Sequence, residues 1–332
     1  MAQYDVFGIG SALMDFLIEV DHNQLAEFNL NKGQFHLIDE AHSKEILDKL
    51  KNYRVTTEPG GSSANTLYGI GILGGTVVFC GKVGRDPHGD TYEEKMINSG
   101  VKPVLARSGS PTGHAITFIT PDSERTFAVH LGAAMQLEAE DVFFDDLKNS
   151  GILHVEGYQL EAPGLRKVSM HAMQFAKQNG IRISIDLGDP GIVARNKKDL
   201  RKLVADYADI VFANEEEAMA LTGLKPREAL DALSGICDTA IVKVGRKGSM
   251  IKQADTIHFI PGYPAQAIDT TGAGDMFAAG VLYGISKGHS LKVSGHIGSF
   301  YAAKVVGRIG ARLDRIDQDE LDALIRSLSQ DQ

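Results

Sequence analysis

Short apolar runs, each stopped by Gly, Asp or Asn, recur along the chain with helical patterns between them. The runs fall at residues 6–10, 75–81, 152–155, 181–185, 210–213 and 240–244. Each is too short for a helix and apolar at successive positions, which reads as a strand buried on both faces. Helical patterns at 62–73, 89–98, 165–178, 198–205 and 215–221 alternate with them. Further helical patterns at 272–287, 291–306 and 318–328 fill the C-terminal third. Strand and helix in alternation specify an α/β fold, a mainly parallel central sheet between two helical layers.

Two stretches break this rhythm. Alternating strands with interleaved polar residues are expected at 15–20, 34–38, 104–107, 115–120 and 125–129. Turn signals at Ser108-Gly109-Ser110-Pro111 and Pro121-Asp122-Ser123 separate the last three. Strands of this kind predict a small separate β-sheet, a lid built from residues 14–40 and 102–132. Residues 1–13, 41–101 and 133–332 then form the large α/β domain. An edge hairpin of the main sheet is the alternative.

Bulk properties remove several classes of function. The net charge of -9 gives no basic surface for nucleic acid. Only Cys80 and Cys237 are present, too few for a disulfide framework. No apolar stretch approaches the roughly 20 residues of a membrane span, and no basic region precedes the first apolar run. These features predict a cytoplasmic protein that binds neither nucleic acid nor membrane. Gly69-Ile70-Gly71-Ile72-Leu73-Gly74 matches GxGxxG but falls late in a helical pattern, where a dinucleotide fingerprint must open one. No stretch supplies GxxxxGK[ST], and the eleven histidines show no metal-ligand spacing.

The chemistry concentrates at Asp269-Thr270-Thr271-Gly272-Ala273-Gly274-Asp275, ahead of Met276-Phe277-Ala278-Ala279-Gly280. Gly272, Ala273 and Gly274 open a helix that is apolar on nearly every side and must be buried. The free N–H groups of such a helix start, with no bulky side chains around them, accept an anion against the backbone. A phosphoryl group in transfer is such an anion. Asp275, in the first turn, is placed to take a proton from an attacking hydroxyl. A helix cap is the plainer use of the same residues.

This stretch resembles the C-terminal signature of the PfkB family of carbohydrate kinases, which have the ribokinase-like three-layer αβα fold with a small β-sheet lid. Gly60-Gly61-Ser62-Ser63-Ala64-Asn65 and Gly81-Lys82-Val83-Gly84-Arg85-Asp86 resemble its N-terminal signature. The resemblance covers essentially the whole chain. It implies that Asp275 is the catalytic base and that Gly272, Ala273 and Gly274 form the anion hole. It implies that Asp15, Ser11, Gly60, Gly61 and Asn65 bind the acceptor. Asn214, Lys243, Gly245, Gly248 and Gly274 would bind ATP, although the family usually has Thr where Lys243 stands. Glu217 completes an N-x-x-E motif linked to Mg²⁺, held mostly through water. Asp269 and Thr271 match positions that hold a monovalent cation in some relatives, which adds K⁺ as a further cofactor beside Mg²⁺ with ATP. The expected partners are ATP and a small-molecule acceptor, with the chain a monomer or a lid-mediated homodimer.

Departures within the family bear on the acceptor. Ribokinases carry Lys where this chain has Ser62. Fructokinases and ketodeoxygluconate kinases show D-x-N-x-R where it has Asp186-Leu187-Gly188-Asp189-Pro190. Together with Leu131-Gly132-Ala133, these departures are most similar to bacterial adenosine-kinase-like members. The expected reaction is phosphorylation of a nucleoside's 5′-hydroxyl, adenosine to AMP, a purine-salvage step. A free-sugar kinase is the alternative within the family. A non-catalytic ligand-binding relative is the alternative from another class, and an intact Asp275 argues against it.

Overall fold

The computed structural model describes residues 2–122 and 124–329. Ser123, the last residue of one expected turn signal, lies outside them. Fourteen strands follow one another along these residues: β1 (Tyr4–Ile9), β2 (Leu13–Glu19), β3 (Phe35–Leu37), β4 (Thr56–Gly60), β5 (Val77–Gly84), β6 (Val101–Ser108), β7 (Gly113–Ile119), β8 (Arg125–His130), β9 (Ser150–Glu156), β10 (Arg182–Asp186), β11 (Ile210–Asn214), β12 (Thr239–Lys243), β13 (Ser249–Gln253) and β14 (Thr256–Ile260). Nine form a large sheet in the order β14-β13-β12-β11-β10-β9-β1-β5-β6, and five form a smaller one in the order β3-β8-β7-β2-β4.

From β12 to β6 every pairing in the large sheet is parallel, and β13 and β14 extend it as an antiparallel hairpin. Alternation along each strand divides the core in two. Val6 of β1 and Ile210 and Phe212 of β11 enter one apolar layer with Leu67, Phe277, Ile297 and Tyr301. Phe7, Ile9, Val211 and Ala213 enter the other with Leu165, Leu203 and Leu230. Helices cover both faces, as the unbroken apolar runs require. Local chemistry sets the helix starts: Asp86 accepts from the amide of Gly89 and Pro87 takes the first helical position of Pro87–Asn98.

The small sheet differs from expectation at two strands. The expected strand at 104–107 belongs to β6, an edge strand of the large sheet that pairs with β5 from Val77↔Val101 to Gly84↔Ser108. Edge strands are half-exposed, so they show the same polar interleaving as a lid strand. The small sheet instead takes β4, which pairs antiparallel with β2. Thr56-Thr57-Glu58-Pro59-Gly60 carries no strand pattern, and Pro59 is tolerated because β4 is an edge. The far side of the small sheet buries Met14, Phe16, Ile18, Ile116, Phe118 and Ala128 with Ile46 of the helix Glu40–Leu50. The small sheet thus draws on residues 41–60, which were expected in the large domain, and does not include 102–108. No helix among the described residues is long and apolar enough to cross a membrane.

Candidate active site

In the large sheet the strand order reverses around β1, and open α/β sheets bind ligands beyond the strand C-termini at such a point. Glu156, Asp186, Asn214 and Lys243 are the last residues of β9, β10, β11 and β12, and Ser11 lies just beyond β1.

Gly272 caps the helix Ala273–Ser286 in the left-handed conformation, with φ 72° and ψ 0°. A side chain there would also place its Cβ 2.6 Å from the Cα of Ala311, so both conformation and space demand glycine. Met276 N–H closes the first turn on Gly272, and the amides of Gly274 and Asp275 have no acceptor among the described residues. Asp275 follows immediately. Its Oδ1 accepts from Ser62 Oγ at 2.8 Å and its Oδ2 from Asn65 Nδ2 at 3.0 Å. Burial pushes its pKa up, and these two hydrogen bonds oppose the rise.

A carboxylate–ammonium group stands beside this helix start. Lys243 Nζ lies 3.0 Å from Asp186 Oδ2, and a Cβ at Gly274 would lie 3.2 Å from the same ammonium. Burial works to lower the pKa of Lys243, but Asp186 and Glu217 outweigh it and keep the side chain charged. Glu217 and Asn214 form a reciprocal cap: Glu217 accepts from Asn214 N (2.8 Å) and Nδ2 (2.7 Å), while its own amide donates to Asn214 Oδ1. Burial raises the Glu217 carboxyl to about 7. Gly245 and Gly248 bound the turn from β12 into β13, where a side chain at Gly248 would strike the β14 backbone.

Among the described residues no three His, Cys, Asp or Glu side chains converge as a metal cage. Asp186 already pairs with Lys243 and both oxygens of Glu217 accept from Asn214, so these carboxylates suit only outer contact, through its waters, with Mg²⁺ that arrives on nucleotide phosphates. The expected K⁺ ligand fits less well. Asp269 accepts from the amides of Thr271 (2.6 Å) and Gly310 (2.8 Å) and pairs with the guanidinium of Arg125 on β8. Its charge is already met, so Asp269 and Thr271 do not fit a monovalent cation at this carboxylate.

On the acceptor side, Asp15 projects from β2 against Gly60, where any Cβ would collide with its carboxylate. Its pKa is raised to about 7 by burial, with Arg312 opposing the rise and Asp275 and Glu58 adding to it. Gly61 precedes the helix Ser62–Ile72, which carries Asn65. Ser11 Oγ accepts from Gln159 Nε2 at 2.8 Å, which fixes the oxygen and leaves its proton to donate, while the Ser11 amide donates to Glu156. Glu156 also accepts from the amide of Ser63 and so ties the two acceptor loops together. Sequence reasoning missed Glu156, Gln159, Arg125 and Arg312. Only Glu156, a carboxylate ending a buried strand, left a local signal.

Burial pushes Glu156 up to about 7, the amides of Ser63 and Ser11 opposing it. Between its ordinary 4.5 and about 7 the folded chain holds a proton that the unfolded chain has released. Stability is therefore full below 4.5 and falls as pH rises through about 7, by on the order of 3 kcal/mol for this group. Thermal melts should drop between pH 5 and 8, and Glu156→Gln should make the drop smaller while Asp15 and Glu217 keep their shares of it. A flat wild-type profile would remove the effect.

Glycine-opened buried helix, carboxylate and the neighbouring Gly60-Gly61 loop are the parts that phosphoryl transfer requires. Residues 34–318 match the model of the pfkB family carbohydrate kinases, and the chain belongs to that family. It is similar to the crystal structure of adenosine kinase from Sinorhizobium meliloti, with a TM-score of 0.88, 30% identity and full coverage of both chains. It is 29% identical over 239 residues to fructokinase-1 of Zea mays, covering 69% of this chain and 74% of that one. It is 27% identical over 283 residues to 5-dehydro-2-deoxygluconokinase of Bacillus subtilis, covering 81% and 87%. The chain is a sugar or nucleoside kinase.

Proposed function

We propose that the chain transfers the terminal phosphoryl group of ATP to the 5′-hydroxyl of a nucleoside, with adenosine as the preferred acceptor. The observation that carries this reading is the face of the small sheet beside the acceptor loops. Register sets Asp15 beside Ala115, Ala115 beside Val129, and Val129 beside Leu37, while Phe127 pairs with Phe35. Directly paired residues share a face. Asp15 also pairs with Glu58 of β4, so two carboxylates stand at one end of an apolar row, and Asp15 is the one that adjoins Ala115. Phe35 (47% exposed) and Leu37 (60% exposed) have no apolar cover of their own. The ring of Phe35 lies 6.4 Å from that of Tyr158 in the large body. A ribose offers two adjacent hydroxyls to Asp15, and an attached base lies along the apolar row. A free sugar would set hydroxyls against Ala115, Val129 and Leu37, which can bond none of them.

Asp275 takes the proton of the 5′-hydroxyl as its oxygen attacks the γ-phosphorus, and ADP leaves. The unbonded amides of Gly274 and Asp275 receive the charge that develops on the transferring group, the expected amide of Ala273 being tied to the Thr270 carbonyl, and Lys243 adds a cation beside them. Asp186, Asn214 and Glu217 would hold a nucleotide-borne Mg²⁺ through water, and that ion would supply screening of phosphate charge. The small sheet covers the site and keeps water from competing as acceptor.

An ADP-release assay with Mg-ATP tests the acceptor, using adenosine, ribose and fructose. Burying about 100 Å² of base should favour adenosine over ribose by roughly 10²-fold in kcat/KM. Phosphorylation of ribose or fructose without adenosine overturns the nucleoside reading.

A further inference from the structure

Arg312 lies between the helices Leu291–Val305 and Gln318–Ser329, outside every motif in the sequence. Its Nε donates to Asn65 Oδ1 at 2.8 Å, and its guanidinium carbon stands 4.7 Å from the ring centroid of Tyr68. Nη1 reaches Met96 Sδ at 3.7 Å. Nη2 is shielded from solvent and has no hydrogen-bond partner among the described residues.

A primary amide has one accepting end and one donating end. With Oδ1 of Asn65 held by Arg312, Nδ2 must face Asp275, as it does at 3.0 Å. The flipped amide would set N–H against guanidinium and C=O against carboxylate, both repulsive. The charged and titratable groups around the guanidinium are Tyr92, Asp15, Tyr68 and Glu58. Arg312 is the cation that favours the ionised form of Asp15, with Asp275 and Glu58 acting against it. One cation thus serves both the carboxylate that would hold the sugar and the amide that orients the candidate base.

We propose that Arg312 is a positioning residue of the acceptor site, fixing the Asn65 amide toward Asp275 and supplying the countercharge beside Asp15. The proposal rests on the phosphotransfer reading of Asp15 and Asp275. If wild-type protein phosphorylates no nucleoside or sugar, that reading has failed before any variant is made. The test uses whichever acceptor wild type turns over.

In Arg312→Met, acceptor KM should rise and kcat fall by about tenfold each, the loss of hydrogen bonds to a charged group, while KM for ATP stays within about twofold. The acid limb of kcat/KM should move to higher pH, since Asp15 loses the cation that favours its ionised form. Arg312→Lys should restore the acid limb but not kcat, because an ammonium keeps the charge and lacks the planar Nε–H donor. With Asn65→Ala already in place, Arg312→Lys should cost no further kcat. Wild-type acceptor KM and acid limb in Arg312→Met overturn the proposal. A parallel loss of ATP and acceptor binding with a lowered melting point in both variants overturns it in favour of a purely structural role.

Discussion

Asp275→Asn should lower kcat by roughly 10²–10⁴-fold while leaving acceptor affinity within about threefold. The substitution suits the site because the carboxylate already has two donors. The amide introduced there can accept from Asn65 Nδ2 through its carbonyl and turn its NH₂ toward Ser62 Oγ, which accepts as readily as it donates. The helix start keeps its cap at Gly272 and its free amides, so the anion hole survives. Only the capacity to take a proton is removed. The same change should abolish part of the pH dependence. Burial raises the pKa of Asp275, so wild-type kcat must fall as pH drops through that raised value. The variant has no such group to protonate and should lose that limb. Steady-state kinetics across pH and calorimetric titration of the acceptor measure the two halves. An unchanged kcat would sink the general-base assignment, and a lost acceptor affinity would make Asp275 a binding residue.

The layers of the fold were legible because burial on both faces leaves little choice of residue. Val211-Phe212-Ala213 can only be a central strand when helices lie above and below it. Helix limits came within a few residues where caps mark them, as at Asn214 before Glu215–Thr222. Sheet membership was not legible. β6 and the lid strands share one pattern, since half-burial at an edge and half-burial in a one-sided sheet ask for the same alternation. β4 was missed because backbone pairing with β2 forms it, with little help from propensity. In the site, the residues of contiguous motifs were read directly. Arg312 and Asn65 are 247 residues apart, and no local spacing reports their contact. Asp269 shows the opposite case: its place in the motif suggested a cation, and an arginine from the small sheet stands there instead.

The helix carrying Asp275 is held on two sides by glycines, and this yields the largest expected effect away from the chemistry. A Cβ added at Gly280 would lie 2.6 Å from both the Cα and the N of Gly298 and 2.8 Å from the carbonyl carbon of Ile297. These are backbone atoms, so no rotamer change makes room. The helix cannot retreat the other way, because a Cβ at Gly69 would already lie 2.6 Å from that of Ala279, which shows how closely those two helices touch. Gly280→Ala must therefore push apart the helices Ala273–Ser286 and Leu291–Val305, loosening Phe277, Ile297 and Tyr301. Overpacking costs about 1–3 kcal/mol or more, against about 1 kcal/mol recovered from alanine's helix propensity. A shift of about 1 Å at Asp275 is worth about 10²-fold in rate, so kcat should fall more sharply than the melting temperature. Gly164→Ala is the control: it lies in the first turn of Pro163–Gln178 with open space around it, and the same change there should stabilise by roughly 0.5–1 kcal/mol. Thermal denaturation and kcat for both variants decide the matter. A Gly280→Ala protein that melts and turns over like wild type would show that the two helices do not need their close approach to place Asp275.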